Sequence, residues 1–415
     1  MAMPRMLPGE CKKPGPGWAN DPPQTWEEAM KEDQIFQDRR ARINELRAKT
    51  EKMSHRQRTM MAVKHQEPDR VPIDNWMVPE IQTRTMEYYG CETFEELQRF
   101  LGTDFRNNYG PSYMGQAFKK YPDGTVEDLW GVRRKVVTYG KGTAHEGTYS
   151  EVAESPLANM KTVEEIEAYP RWASPDWWDY SKVKEDCAKY HPEYCVINVG
   201  DRLDRTAQLK PMMYLRGIQQ AFVDLALNPK IVEAIRDRIV SYFTEYNHRV
   251  FKAAGGEIDI FMMGDDMGGQ TGPLISLEMW RRYFKKGFKT YIDVAHQYGI
   301  PVMYHTCGDV KALIPDFIEC GLDILQSLQP RATNMDIKQL KQEFGKDLCF
   351  QGGMDIQHTL PLGKPEDVRE MVKYAMDSAK AGGGYIICTA HNIQVDTSIE
   401  NVAALFEAYH EFGAY

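Results

Sequence analysis

Ile258-Asp-Ile-Phe-Met-Met263 and Pro301-Val-Met-Tyr-His305 are two short apolar runs, and a helix-prone stretch at 276–298 lies between them. Neither run alternates apolar and polar residues strictly, which favours parallel strands buried on both faces. Similar runs continue this pattern at 196–199, 323–325, 347–350 and 384–388. The C-terminal half of the chain therefore predicts an α/β fold built from repeated strand–helix units.

A first strand is expected much earlier, at Val71-Pro-Ile-Asp-Asn-Trp76. Together with the later repeats it predicts a (β/α)8 TIM barrel. The alternative is a doubly wound open sheet. No glycine-rich dinucleotide-binding turn follows the first strand, which disfavours that alternative.

The remaining segments divide the chain into an extension, a barrel and an insertion. Residues 1–53 are expected to form an N-terminal arm and a charged helix that packs on the domain or on a second subunit. Residues 54–415 are expected to form the (β/α)8 barrel catalytic domain. The stretch at about 80–190 does not follow the strand–helix pattern and includes a predicted hairpin at 123–137. It is expected to be an insertion that caps one end of the barrel.

Composition places the chain among ordinary globular proteins. It has 415 residues, of which 42% are hydrophobic and 27% charged, so it has enough apolar residues for a large core. A net charge of −9 disfavours binding to nucleic acid or anionic lipid. No apolar run approaches the roughly 20 residues of a membrane span, and no secretion signal is evident, so a cytoplasmic protein is expected. In that compartment the eight cysteines would be thiols.

His305 and Cys307 stand at the end of one predicted strand, and Cys388 ends a later one. The carboxyl ends of barrel strands converge on one face, so these side chains are expected to meet there. One imidazole and two thiolates supply three of the four corners of a tetrahedral zinc site. The alternative is a buried core histidine and two buried thiols.

Further candidate residues follow the ends of the predicted strands at 258–263 and 384–388. Asp265 and Asp266 lie in a glycine-rich loop and would give a fourth zinc ligand, hold a substrate hydroxyl, or cap a helix. His391 follows shortly after the last strand and would donate a proton or anchor substrate. A second metal set of Asp355, Glu370 and His391 is an alternative, although Glu370 lies in a predicted solvated helix.

Six ordered motifs resemble the uroporphyrinogen decarboxylase superfamily, from about residue 54 to the end of the chain. They are Ser54-His-Arg-Gln-Arg-Thr59, Gln66-Glu-Pro-Asp-Arg-Val-Pro72, Gly264-Asp-Asp-Met-Gly-Gly-Gln-Thr-Gly-Pro-Leu-Ile-Ser276, His305-Thr-Cys-Gly-Asp309, Gln351-Gly-Gly-Met-Asp355 and His391-Asn-Ile-Gln-Val-Asp396. The resemblance implies a distorted (β/α)8 barrel, in agreement with the strand–helix pattern.

The superfamily contains decarboxylases and cobamide-dependent methyltransferases. The decarboxylases hold porphyrinogen carboxylates with an arginine-rich N-terminal loop, whereas Asp74-Asn-Trp-Met-Val-Pro79 contains no arginine. The methyltransferases carry His-x-Cys and a distant cysteine as zinc ligands, and His305, Cys307 and Cys388 match that pattern one by one. The resemblance therefore implies a zinc-dependent methyltransferase that works with a corrinoid.

The long N-terminal extension and the aromatic insertion favour the vanillate/veratrol type of O-demethylase. Such an enzyme transfers a methyl group from a methoxylated aromatic to the Co(I) corrinoid, a cobalamin carried on a partner corrinoid protein. Asp265, Asp266 or His391 would protonate or orient the leaving oxygen. The candidates for substrate contact are Trp76, Met77, Tyr113, Asp201, Arg202, Tyr214 and Tyr304.

Three other functions stay open at this point. The first is a methylcobamide:thiol methyltransferase of the coenzyme M type. The second is a decarboxylase, and the third is a non-catalytic scaffold that binds a corrinoid protein. A homodimer is compatible with each of these functions.

Overall fold

The computed structural model describes residues 26–141, 147–200 and 205–415. The predicted arm at 1–24 and the predicted substrate residues Asp201 and Arg202 lie outside the described residues. Among the described residues, no helix is both long and apolar enough to span a membrane.

The strands of the described residues are β1 (Phe105–Asn108), β2 (Ser112–Tyr113), β3 (Val126–Glu127), β4 (Arg133–Tyr139), β5 (Gly147–Glu154), β6 (Trp178–Asp179), β7 (Cys195–Asn198), β8 (Ile260–Gly264), β9 (Val302–His305), β10 (Ile324–Leu328), β11 (Cys349–Met354) and β12 (Tyr385–Thr389). The α-helices there are α1 (Trp26–Thr50), α2 (His55–Val63), α3 (Pro79–Tyr89), α4 (Phe94–Leu101), α5 (Val163–Glu167), α6 (Val183–Ala188), α7 (Leu209–Arg216), α8 (Ile218–Leu227), α9 (Pro229–Ala254), α10 (Leu277–Tyr283), α11 (Lys285–His296), α12 (Ile314–Glu319), α13 (Ile337–Phe344), α14 (Thr359–Leu362), α15 (Pro365–Ala379) and α16 (Ile399–Phe412).

Seven parallel strands form the central sheet, in the order β1-β7-β8-β9-β10-β11-β12. From β7 onward each strand is followed by at least one helix before the next strand begins. This confirms the strand–helix alternation predicted from residue 196.

The segment 71–77 connects the two edges of this sheet. Ile73 bridges Ile387 of β12 in parallel, and the Ile387 N–H donates to the Pro72 carbonyl at 2.9 Å. On the other side, the Asp104 N–H donates to the Ile73 carbonyl at 2.8 Å. The predicted first strand therefore lies between β12 and β1, and the (β/α)8 barrel is confirmed.

Antiparallel elements occupy the long connection from β1 to β7. The strands β3, β4 and β5 form a three-stranded sheet, and β2 pairs with β6. The pairing of Val126 with Arg134 forms the hairpin predicted at 123–137. Helices α3 and α4 lie before β1, in the connection that follows segment 71–77. The limits of the insertion, as of the other predicted domains, stay predictions.

Successive residues of each strand face opposite sides of the barrel wall. Met303 belongs to the cluster that fills the interior, and His305, two residues later, faces the same way. Tyr304 between them packs outward on Phe288 and Phe317 of the helical layer. The strand period therefore decides which residues at the end of β9 reach the mouth of the barrel.

A buried charge network closes the opposite end of the barrel, before β1. The Asp104 carboxylate accepts hydrogen bonds from Arg58 at 2.7 Å, Arg70 at 2.8 Å and His55 at 2.7 Å. It also accepts from the Ile73 N–H at 2.6 Å. One carboxylate thus joins α2, the first strand segment and β1.

Candidate metal centre

His305 presents one ring nitrogen to a cluster of potential ligands. Its Nδ1 is hydrogen-bonded to the Oε1 of Gln326, which is an acceptor, so Nδ1 carries the proton and Nε2 keeps its lone pair. Burial and the nearby Arg205 guanidinium lower the pKa of His305 to about 4. The imidazole is therefore neutral at pH 7, which is the form that binds metal.

Cys307 and Asp266 complete a three-residue group around this nitrogen. The His305 Nε2 lies 3.6 Å from the Cys307 Sγ and 3.6 Å from the Asp266 Oδ1. The Cys307 N–H also donates to Asp266 Oδ1 at 3.4 Å. The ligand atoms of all three residues lie within 4.8 Å of one another.

The donor set and its spacing fit a zinc ion. In a tetrahedral zinc site, a nitrogen at about 2.0 Å and a sulfur at about 2.3 Å stand roughly 3.5 Å apart. Burial, and next the Asp266 charge, raise the pKa of the Cys307 thiol to about 12, so without a cation this thiol keeps its proton. A bound cation reverses that balance, because a coordinating thiol is deprotonated.

Asp265 and Asp266 have different surroundings although they are adjacent. Both oxygens of Asp265 accept backbone N–H groups at the start of α7, from Gln208, Leu209 and Lys210 at 2.6–2.7 Å. Burial raises the pKa of Asp265 to about 6 against these hydrogen bonds. The carboxylate of Asp265 therefore holds α7, whereas that of Asp266 lies beside His305.

Lys210 connects the start of α7 to the ligand group. Its Nζ lies 2.6 Å from the Asp266 Oδ2. Burial acts to raise the pKa of Asp266, but the Lys210 ammonium and the interactions with His305 and the Cys307 N–H outweigh it and lower the pKa to about 2. Asp266 is thus an ionised carboxylate with one oxygen toward Lys210 and the other toward His305.

Cys388 stands apart from this group. It is fully buried on β12 and pairs with Gly353 of β11, and β10 and β11 separate it from β9. Its alternate-residue neighbour Ile386 belongs to the interior cluster, so Cys388 also faces the interior. Burial raises its pKa well above the usual value for a thiol. The structure therefore unites two of the three predicted zinc ligands with Asp266 and leaves Cys388 outside the 4.8 Å group.

Trp76 forms one wall beside His305. The two rings stack at 6.0 Å between centroids with 14° between their planes. The Arg205 guanidinium carbon lies 5.7 Å from the Trp76 ring centre. The predicted substrate residue Trp76 is thus in direct contact with a candidate metal ligand.

The other predicted side chains have different surroundings. Met77 is buried among core residues next to α3, and Tyr304 lies in the helical layer. Tyr113 packs in the insertion on Phe118 and Trp178, at 4.8 and 5.3 Å.

Two further predictions lie on other elements. Tyr214 on α7 has the Arg134 guanidinium carbon 4.3 Å from its ring centre. His391 lies half-buried in the loop after β12.

The alternative metal set of Asp355, Glu370 and His391 has no matching arrangement of ligand atoms among the described residues. Asp355 instead accepts the backbone N–H groups of Gln357 at 2.8 Å and His358 at 3.2 Å. Glu370 is exposed on α15.

Sequence reasoning missed four polar residues around the group: Lys210, Gln326, Gln351 and Asp74. For Gln326 and Gln351 a signal existed, because each is a long polar residue that directly follows two apolar residues within a buried strand. Buried polar side chains need hydrogen-bond partners, so such a residue predicts a polar neighbour in the interior. Lys210 had no comparable signal, because only the folding of α7 against Asp265 brings it to Asp266.

Comparison with known proteins identifies a family domain in the C-terminal half. Residues 207–412 match the family described as "Uroporphyrinogen decarboxylase (URO-D)". This range contains Lys210, Asp266, His305, Cys307 and Cys388.

Curated relatives include two kinds of protein. The chain is 25% identical over 187 residues to a uroporphyrinogen decarboxylase of Pseudomonas fluorescens, covering 45% of this chain and 50% of the relative. It is 22% identical over 206 residues to a methylated-thiol–coenzyme M methyltransferase of Methanosarcina mazei, covering 50% of this chain and 52% of the relative. The chain thus spans about half the length of the curated relatives it matches.

A solved structure has a similar fold over a longer range. It is a methyltransferase from Methanosarcina mazei, with a TM-score of 0.58 and 16% sequence identity. The match covers 87% of this chain and 99% of that one. This similarity supports the barrel assignment over most of the chain.

Proposed function

We propose that this chain is a zinc-dependent methyltransferase that works with a corrinoid protein. The observation that carries the proposal is the group of Asp266, His305 and Cys307, whose ligand atoms lie within 4.8 Å at the mouth of the barrel. Catalytic residues of TIM barrels lie at this end of the strands. The URO-D family domain and the resemblance to cobamide-dependent methyltransferases support the same conclusion.

His305 and Cys307 are the two ligands on which the sequence and the geometry agree. We propose Cys388 as the third ligand, because it matches the distant cysteine of the methyltransferases and faces the same interior. Asp266 is then the displaceable fourth ligand, since Lys210 can retain its carboxylate when substrate takes its place.

A bound zinc ion would supply Lewis-acid stabilisation of the oxygen that leaves when a methyl ether is cleaved. The chain's own groups prepare that position. Asp266 keeps Lys210 beside the ligands, so the ammonium can donate a hydrogen bond to an oxygen anion formed there. His391, in the loop after β12, is our candidate for proton donation to that oxygen.

For the methyl donor we propose a methoxylated aromatic, and for the acceptor the Co(I) corrinoid of a partner protein. Trp76 supports an aromatic donor, because its ring lies beside His305 and π systems stack favourably. The mouth of the barrel would then be the docking surface for the corrinoid protein.

A second candidate is methyl transfer to a thiol. The similarity to a methylated-thiol–coenzyme M methyltransferase favours it. Here His305 and Cys307 would hold the metal in the same way, and the thiol would occupy the position of Asp266. The two candidates share their ligands and differ only in the small molecule that gives or receives the methyl group.

The first experiment is elemental analysis of the purified full chain and of Cys388→Ser. Cys349→Ser is the matched control, because Cys349 is also a fully buried interior cysteine but begins its strand at the other end of the barrel. We expect about one zinc per chain in the wild type and in Cys349→Ser, and a loss of zinc in Cys388→Ser. A wild-type protein that takes up no zinc would overturn the proposal.

Activity assays then separate the candidates. Methyl transfer from methoxyarenes to Co(I) corrinoid is expected for the O-demethylase, and methylation of a thiol by methylcobalamin for the second candidate. Decarboxylation of uroporphyrinogen without either activity would instead place the chain with the decarboxylases.

A further inference from the structure

Two glutamine side chains on neighbouring strands lie inside the barrel behind His305. Gln326 on β10 and Gln351 on β11 are paired in register, and both are completely buried. Long polar side chains are rarely buried in this way unless they are hydrogen-bonded. The mechanism proposed above gives neither of them a task.

One polar atom of each glutamine amide has a hydrogen-bond partner, and the two partners lie at opposite ends of the pair. Gln326 Oε1 accepts the Nδ1–H of His305, and Gln351 Nε2 donates to the Oδ2 of Asp74. The remaining amide atoms, which we call the inner ends, are Gln326 Nε2 and Gln351 Oε1. Both are buried and have no hydrogen-bond partner. These inner ends are a donor and an acceptor, and they belong to residues that face each other across paired strands.

We propose that Asp74 is a positioning residue for His305 and acts through Gln351 and Gln326. A small side-chain movement or one bridging water at the inner ends makes a continuous hydrogen-bond chain, from His305 to Gln326, to Gln351 and to Asp74. Every N–H in it then points from the imidazole toward the carboxylate. This inference rests on the proposed function insofar as it treats His305 as a metal ligand.

Trp76 gives Asp74 a second connection to the same imidazole. The indole N–H donates to Asp74 Oδ2 at 2.8 Å, while the indole ring stacks on His305. The Asn75 N–H donates to the other oxygen, Oδ1, at 2.8 Å. Asp74 therefore orders both the hydrogen-bond chain behind the imidazole and the aromatic wall beside it.

The consequence is a fixed tautomer and a fixed ring orientation. With Nδ1–H committed to Gln326, the lone pair of His305 Nε2 points toward Cys307 and Asp266. Partners of this kind, which orient a ligating histidine, typically change metal affinity by about 10- to 100-fold when removed. We expect the same range for Asp74, although its carboxylate does not touch the ligand group.

Competition with a zinc chelator tests this proposal on four full-length variants beside the wild type. Asp74→Asn and Gln326→Leu are each expected to weaken zinc binding by about 10-fold or more. The double variant should be no weaker than the weaker-binding single variant, because both changes interrupt one chain. Asp259→Asn is the matched control, since Asp259 is a buried carboxylate that accepts the Val196 N–H, away from His305. It should bind zinc as the wild type does.

Two results would overturn the proposal. Wild-type zinc affinity in Asp74→Asn would remove the role of the carboxylate, and additive losses in the double variant would show that the two residues act separately. If Asp74→Asn does not fold, Gln351→Leu interrupts the same chain at its middle and carries the same expectation.

A second readout does not depend on zinc. In metal-free protein labelled with 15N-histidine, NMR should detect His305 as the Nδ1–H tautomer, with His305→Gln identifying its signals. Asp74→Asn should give a mixture of tautomers, and an unchanged single tautomer would contradict the proposal. If the wild type has no zinc affinity but Asp74→Asn still changes the His305 tautomer, the proposed function is overturned and the hydrogen-bond chain is supported.

Discussion

At the scale of single residues, Asp266 is held between a lysine and a histidine. One oxygen is paired with Lys210 at 2.6 Å and the other lies 3.6 Å from His305. Its carboxylate is ionised, since its pKa is about 2 after Lys210 and His305 outweigh the effect of burial. Lys210 can therefore compensate the charge of this carboxylate whether or not Asp266 binds a metal ion beside His305.

Replacing this carboxylate should affect metal binding more than stability. We expect Asp266→Asn to weaken zinc binding by about 10-fold or more, with a change of less than about 1 kcal/mol in the free energy of unfolding, because the pair with Lys210 is partly exposed. Chelator competition and urea unfolding measure the two effects. Unchanged zinc affinity would show that Asp266 is not a ligand.

The proton count of zinc binding should identify the ligand set. His305 has a pKa of about 4, lowered first by burial, and gives up no proton at pH 7. Burial raises the pKa of the Cys307 thiol to about 12 and raises the pKa of the Cys388 thiol well above its usual value. Both thiols are therefore protonated at pH 7, and each gives up a proton when it binds metal.

Calorimetry in buffers of different ionisation enthalpy measures this release. Near pH 7 we expect about two protons per zinc if Cys307 and Cys388 both bind, and about one if Asp266 replaces Cys388. Release of no proton would exclude both thiols.

At the scale of elements, the start of α7 depends on a single carboxylate from another strand end. Asp265 follows β8 and accepts three consecutive N–H groups that a helix start leaves without intrahelical partners. Helix α7 begins here and carries Lys210. The loop after β8 thus fixes two parts of the candidate site, Asp266 directly and Lys210 through α7.

Asp265→Asn should loosen α7 and leave the barrel intact. The amide offers one acceptor oxygen where the carboxylate offers two, so we expect a loss of about 1–3 kcal/mol in the free energy of unfolding. Hydrogen exchange of the Gln208, Leu209 and Lys210 amides should become faster, while amides of β9 remain protected. Unchanged exchange at these three amides would contradict the anchoring role.

The strand elements also explain why Tyr304 does not face the site. Successive residues of β9 point to opposite sides of the barrel wall. Because His305 faces the interior, Tyr304 faces outward and packs on Phe288 and Phe317. The same rule allowed His305 and Cys307 to be paired from the sequence. Tyr304 was predicted for the pocket from its residue type, which does not carry this directional information.

At the scale of the whole molecule, one carboxylate holds together the end of the barrel opposite the site. Asp104 is fully buried and joins α2, the first strand segment and β1 through Arg58, Arg70 and His55. Burial acts to raise its pKa, but the two guanidinium groups outweigh it and hold the pKa well below the usual range. The folded state therefore gains stability from Asp104 when it is ionised.

Asp104→Asn should destabilise the fold by up to about 3–5 kcal/mol at pH 7, because the buried guanidinium groups of Arg58 and Arg70 each lose one of their two carboxylate partners. A carboxylate with a lowered pKa contributes its stability above its unfolded pKa of about 3.9 and loses that contribution as the pH falls further. The difference between wild type and variant should thus be constant between about pH 5 and 8 and shrink below about pH 4.

Urea unfolding at several pH values measures this difference. Asp237→Asn is the control, since Asp237 is exposed and pairs with its neighbour Arg236. A gap between wild type and Asp104→Asn that grows on acidification would contradict the assignment.

The amino-acid sequence by itself determined the strand–helix order, the barrel class and the pairing of His305 with Cys307. These features follow from local periodicity, which a strand or helix expresses wherever it is placed. The tertiary structure decided the rest of the candidate site. It placed Asp266 toward the ligands and Asp265 toward α7. It also placed Cys388 on β12, with β10 and β11 between it and β9, and brought Gln326 beside Gln351. These contacts join segments that are far apart in the chain, so they depend on the register in which the strands close the barrel, and no local pattern of residues encodes that register.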